Sequence, residues 1–196
     1  MKLTRHPKAK ALIFDLDGTL ADTMPSHFLA WTETAKYYNF DFSEDMFYSL
    51  AGVPTFKIIA MINEKQGKSI DPEEAHTRKE EFFLKYIHST KPIEIVMSIV
   101  EESYGKIPIS IGTGGVPDIV ALTLKAIKAE KYFDIIVTAR DVTNFKPAPD
   151  TFLECAKRMG VLPAHCQVFE DADAGVKAAQ NAGMIATDIR PFLKAI

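Results

Sequence analysis

Only two cysteines occur among the 196 residues, Cys155 and Cys166, and they stand outside any CxxC spacing. That excludes a zinc knuckle and a redox pair, and it suits free thiols in a reducing compartment, so a cytoplasmic location is expected. Long apolar runs are missing as well. Those at residues 11–14 and 107–111 fall far short of the ~20 residues that cross a bilayer. The first ends at Asp15, which argues against a signal peptide despite the basic residues Lys2, Arg5, Lys8 and Lys10. No membrane partner is expected. Nor is there an excess of positive charge: 23 Lys and Arg against 26 Asp and Glu leave a net charge of -3. A nucleic-acid partner, which needs a broad basic field, is therefore excluded, while a local site for a small anion is not.

What is present is enough apolar residue, 47% of the chain, for one sizeable core and an insertion. Short apolar runs bounded by polar residues, Gly or Pro recur at residues 11–14, 107–111, 135–137, 167–169 and 184–187, the pattern of buried strands. Segments of helical length and period lie between the last four, at 117–129, 149–159 and 174–182. This alternation predicts an α/β fold, a doubly wound, Rossmann-like parallel sheet formed by residues 1–21 and 91–196. Residues 22–90 break the alternation. They are rich in helix formers and aromatics, and are expected to form an inserted helical cap with helices near 25–38, 54–66 and 72–87 and a turn around 44–50.

The first strand ends in Asp15-Leu16-Asp17-Gly18. Two carboxylates two residues apart at the carboxyl end of a parallel strand can face one small group, one attacking it and the other moving a proton, while Gly18 lets the chain turn away. After the second strand, Gly112-Thr113-Gly114-Gly115 offers a hydroxyl and backbone N–H groups that can cradle a phosphate before a helix. The third is followed by Lys146-Pro147-Ala148-Pro149-Asp150, and the fourth ends in Phe169-Glu170-Asp171-Ala172-Asp173. Each group alone reads as an ordinary turn, a solvated lysine or an acidic helix start, and Asp173 is expected to be the cap of the 174–182 helix. All four fall at strand ends of one sheet. The acids there call for a hard cation, magnesium, with Asp15 and Asp171 as first choices and Glu170 as a further ligand.

Taken together, residues 11–190 resemble the haloacid dehalogenase superfamily of aspartate-nucleophile phosphotransferases, and within it the β-phosphoglucomutase and fructose-1-phosphate phosphatase branch. The resemblance implies Asp15 as nucleophile and Asp17 as general acid and base. It puts Thr113, Gly114 and Lys146 on the phosphoryl group, and Asp15, the Asp17 carbonyl, Glu170 and Asp171 around Mg2+. On the cap it implies substrate contacts from His27, Gly52, Thr55 and Lys79. Pro54-Thr55 departs from the Ser-Arg of the mutase, which removes a bidentate grip on a second phosphate and favours a hydrolase. The expected activity is thus hydrolysis of a small sugar phosphate, fructose 1-phosphate-like, by a monomer. A phosphosugar mutase is the alternative, and a phospho-accepting signalling module a second, disfavoured because such a module has no use for Asp17.

Overall fold

In the computed structural model residues 2–50 and 53–193 are described, so the candidate residue Gly52 lies outside the described residues. In chain order the elements are β1 (Ala11–Phe14), β2 (Ala21–Asp22), α1 (Met24–Tyr38), α2 (Glu44–Ser49), α3 (Thr55–Gln66), α4 (Pro72–Tyr86), β3 (Lys91–Pro92), α5 (Glu94–Ser103), β4 (Ile109–Gly112) and α6 (Pro117–Ala126). There follow β5 (Ile136–Val137), α7 (Asp150–Met159), β6 (Cys166–Glu170), α8 (Asp173–Asn181), β7 (Ile185–Asp188) and α9 (Arg190–Leu193).

Two compact units result, one of Met1–Asp22 with Lys91–Ile196 and one of Thr23–Thr90. In the first, parallel strands pair in the order β5-β4-β1-β6-β7. Every residue of β1 is buried because both sheet faces are covered, and the side chains divide between them by the period of two. Leu12 and Phe14 pack with Val96 and Val100 of α5 and Val120 and Leu124 of α6. On the opposite face Ala11 and Ile13 meet Phe152 and Cys155 of α7 and Ala178 of α8. Phe14 stacks on Phe169 at 5.0 Å between centroids, a pair that adds about 0.5–1.5 kcal/mol beyond its area burial. The sheet grows from β1 first toward β5 and then toward β7, so the carboxyl ends of β1, β4 and β6 meet where the winding reverses, the position at which open sheets bind ligands.

The Thr23–Thr90 unit has its own core, in which Trp31, Phe47, Ile58, Ile59 and Ile62 are buried together. α4 is started by Asp71, whose carboxylate accepts from the Glu73 and Glu74 N–H groups, with Pro72 in its first turn. α3 ends at Gly67, left-handed at φ 63°.

Several local expectations are corrected. α5 was not foreseen, nor was the two-residue antiparallel pairing of β2 with β3. β4 begins at Ile109 rather than at 107, α6 stops at Ala126 rather than at 129, and the stretch around 44–50 forms the helix α2. α8 starts one residue earlier than expected. Ala172 is its N-cap, so Asp173 lies inside the first turn and its carboxylate pairs with Arg190 instead of capping.

Candidate active site

After β1 the chain makes a tight turn in which the N–H groups of Leu20 and Ala21 both bond the Leu16 carbonyl and Gly18 N–H bonds that of Ala21. Gly18 sits at φ 83°, and a Cβ there would overlap the Asp171 carboxylate. Glycine is needed on both counts. Asp15, 6% exposed, continues the pairing of β1 with β6 through its N–H to the Phe169 carbonyl. Its Oδ1 accepts from Lys146 Nζ at 2.7 Å, and the same ammonium donates to Glu170 Oε1 at 2.7 Å. Glu170, at the end of β6, uses its other oxygen to accept from Ala172 N–H at 2.8 Å. Asp171 accepts from the Thr19 hydroxyl at 2.8 Å.

Carboxylate oxygens of Asp15, Glu170 and Asp171 lie within 4.8 Å of one another. Burial raises the Asp15 carboxyl well above the ordinary aspartate range; Lys146 pulls against the rise, and the Glu170 and Asp171 charges add to it. Asp171 is pushed up to about 6, chiefly by burial and then by Glu170, with the Thr19 bond opposing. Burial alone would lower the Lys146 ammonium; the two carboxylates overcome it and hold the group above its usual range. Two buried acids, Asp15 and Glu170, and the half-buried Asp171 against one ammonium leave negative charge that calls for a cation, and an all-oxygen donor set suits a hard dication such as magnesium. The donors present therefore fit the expected metal.

Thr113 and Asp17 form the other side. Thr113 is buried, its N–H bonded to the Val137 carbonyl, and its Oγ1 accepts from Gly115 N–H at 3.0 Å. The Gly115 N–H is therefore engaged within the loop. A Cβ on Gly115 would lie 3.4 Å from Thr113 Oγ1 and 3.8 Å from Asp17 Oδ2, so hydroxyl and carboxylate flank one point; at Gly114 a Cβ would meet open space. The Asp17 carboxylate is not one of the three clustered acids.

Within the helical unit, His27 and Lys79 come together. Lys79 is 5% exposed, its Nζ lies 2.9 Å from His27 Nδ1 and it also bonds Glu80 Oε1. An ammonium only donates, so Nδ1 accepts and a neutral ring carries its proton on Nε2. His27 stacks on Phe83 at 4.1 Å, and Trp31 stacks on Phe42. Thr55 opens α3, half-buried.

Residues 12–188 match the description of the haloacid dehalogenase-like hydrolases. The chain belongs to that family. It is 41% identical to the fructose-1-phosphate phosphatase YqaB of Escherichia coli over 94% of this chain and 98% of that protein. To the β-phosphoglucomutase of Bacillus subtilis it is 30% identical over 92% and 83%. A hydrolase of the same superfamily, family IA variant 3, from Entamoeba histolytica superposes with a TM-score of 0.81 at 30% identity, covering 92% and 84%.

For this haloacid dehalogenase-like hydrolase, sequence reasoning missed the residues that shape the acidic cluster without reacting. Thr19 gave no signal because its partner is 152 positions away. Gly175 is needed because a Cβ there would overlap Glu170 Oε1. Phe152, 4.7 Å beneath Lys146 Nζ, read simply as a core aromatic.

Proposed function

We propose that the protein is a magnesium-dependent phosphoric monoester hydrolase acting on small sugar phosphates, with fructose 1-phosphate the leading substrate. The observation that carries this reading is the 41% identity to a fructose-1-phosphate phosphatase across nearly the whole of both chains. The reacting groups fit the chemistry. Asp15 attacks phosphorus and the ester P–O bond breaks; the leaving alkoxide takes a proton from Asp17, leaving an aspartyl-phosphate. Asp17 then removes a proton from water, whose oxygen attacks phosphorus, and inorganic phosphate departs as the Asp15 carboxylate returns.

Lys146, the Thr113 hydroxyl and the Gly114 N–H bind the equatorial oxygens during both steps, where phosphoryl transfer is governed by positioning and charge neutralisation. Asp15, Asp171 and the Asp17 carbonyl are the proposed magnesium ligands. When bound, the ion supplies charge neutralisation to the buried acids and the phosphoryl oxygens. Glu170, already bonded to Lys146 and Ala172, orients the lysine from the edge of that site. We assign the Thr23–Thr90 unit the role of a cap, with His27, Lys79 and Thr55 reading the sugar.

The test is phosphate release from a panel of sugar, nucleotide and glycolytic-acid phosphates with magnesium, repeated with a trace of glucose 1,6-bisphosphate. Fast release from a hexose phosphate is expected. Scant release, with β-glucose 1-phosphate converted to the 6-phosphate only when the bisphosphate is present, would replace the hydrolase by a mutase.

A further inference from the structure

Lys146 is delivered by a long irregular segment, residues 138–149 between β5 and α7. Around it Asn144, Phe145 and Pro147 are exposed, while the Lys146 side chain is 14% exposed and meets Asp15 and Glu170 at once. A lysine on four methylenes at the tip of such a loop does not find that place unaided.

Two ties fix the loop from outside the acidic cluster. At its start, Asp141 Oδ2 accepts from both the N–H and the hydroxyl of Thr138 at 2.7 Å, and Oδ1 accepts from Arg158 at 2.6 Å. Arg158, in the last turn of α7, also donates to the Ile136 carbonyl at 3.1 Å and to Glu154 at 2.9 Å. It therefore binds the first residue of β5, the loop and the helix into which the loop runs. At the loop's far end, Asn181, the last residue of α8, donates through Nδ2 to the Pro147 carbonyl at 2.9 Å. α8 thus begins two residues beyond Asp171 and ends on the carbonyl of Pro147, the residue next to Lys146.

We propose that Asp141, Arg158 and Asn181 are positioning residues for Lys146, holding its loop at two points so that the ammonium faces the phosphoryl site. The inference rests on the hydrolase reading above. These ties are exposed, and water replaces their partners when one is lost, so their removal affects global stability little. Misplacement of a phosphate-binding ammonium by about 1 Å can cost up to about 100-fold in rate.

The experiment compares the full-length magnesium-loaded protein with Arg158→Ala, Arg158→Lys, Asn181→Ala and the Arg158→Ala/Asn181→Ala pair, reading kinetics, melting temperature and the rate of amine labelling at Lys146 by mass spectrometry. Each alanine variant should lower kcat/KM about tenfold, mainly through KM, and raise Lys146 labelling by a similar factor. Lys79, buried in the other unit, should label as before, which separates a moved loop from general unfolding. Arg158→Lys should recover part of the loss. Lys146 labelling unchanged in the double variant, or Lys79 labelling raised equally with it, overturns the proposal. Failure of the underlying reading looks different: the unaltered protein would then release no phosphate from any monoester.

Discussion

At the scale of single residues, Asp15 and Asp171 are carboxylates that the fold makes hard to ionise. Asp15→Asn keeps the shape, removes the nucleophile and relieves a buried acid. Turnover should fall by at least about 10^3-fold with an unchanged or raised melting temperature; near-normal turnover in a well-folded sample would remove Asp15 from the chemistry. Asp171 carries a pH signature. Its folded pKa of about 6 lies above the unfolded value of about 3.9, so between those values the folded protein binds more protons. With chelator present, this group's contribution to stability is full below about pH 4 and is lost as pH rises through about 6. A dication needs the ionised form, so the stabilisation by magnesium should grow over the same window and level off above it. Melting curves with magnesium and with chelator from pH 4.5 to 7.5 read the difference directly; a constant gap would argue against Asp171 as a ligand.

Among the elements, α8 shows how backbone shape sets chemistry. Its first turn brings Gly175 against Glu170 so closely that any side chain collides with the carboxylate. Gly175→Ala should therefore displace Glu170 and, through it, Lys146. About 1–3 kcal/mol of stability and about 10^2-fold of kcat/KM should be lost together, by denaturant titration and phosphate release; wild-type kinetics with lowered stability would mean that Lys146 does not depend on Glu170. None of this was legible in a lone glycine. The strands were, because a fully covered sheet writes unbroken apolar runs, and so were the acids and lysine at their ends. α5 went unseen because its apolar residues Ile95, Val96, Met97, Ile99 and Val100 stand almost in one run, in which periodicity does not separate helix from strand, while β2 and β3 are two residues each, too short for any period. The loop ties escaped for another reason: the Asp141–Arg158 and Pro147–Asn181 partners are joined by geometry across α7 and α8, which sequence spacing does not encode.

For the molecule as a whole, two independent cores mean that the chain is divisible at a defined place. Asp22 pairs with Lys91 and Ala21 with Pro92 in antiparallel register, so the chain leaves the α/β unit and re-enters it at neighbouring points. A two-residue Asn-Gly turn joining Asp22 to Lys91 would close β2 and β3 into a hairpin of a commonly favoured type. All the candidate reacting groups, Asp15, Asp17, Thr113, Lys146, Glu170 and Asp171, belong to the part that remains, whereas His27, Thr55 and Lys79 leave with residues 23–90. The shortened protein should unfold in one cooperative transition and still hydrolyse a small aryl or acyl phosphate with magnesium. Its preference for one hexose phosphate over others should fall by at least about tenfold, because the proposed sugar contacts go with the removed unit. Selectivity that survives the deletion would move substrate choice into the α/β unit and leave the helical unit without its proposed role. A shortened protein that folds but no longer releases phosphate from any ester would instead mean that the helical unit supplies part of the chemistry itself.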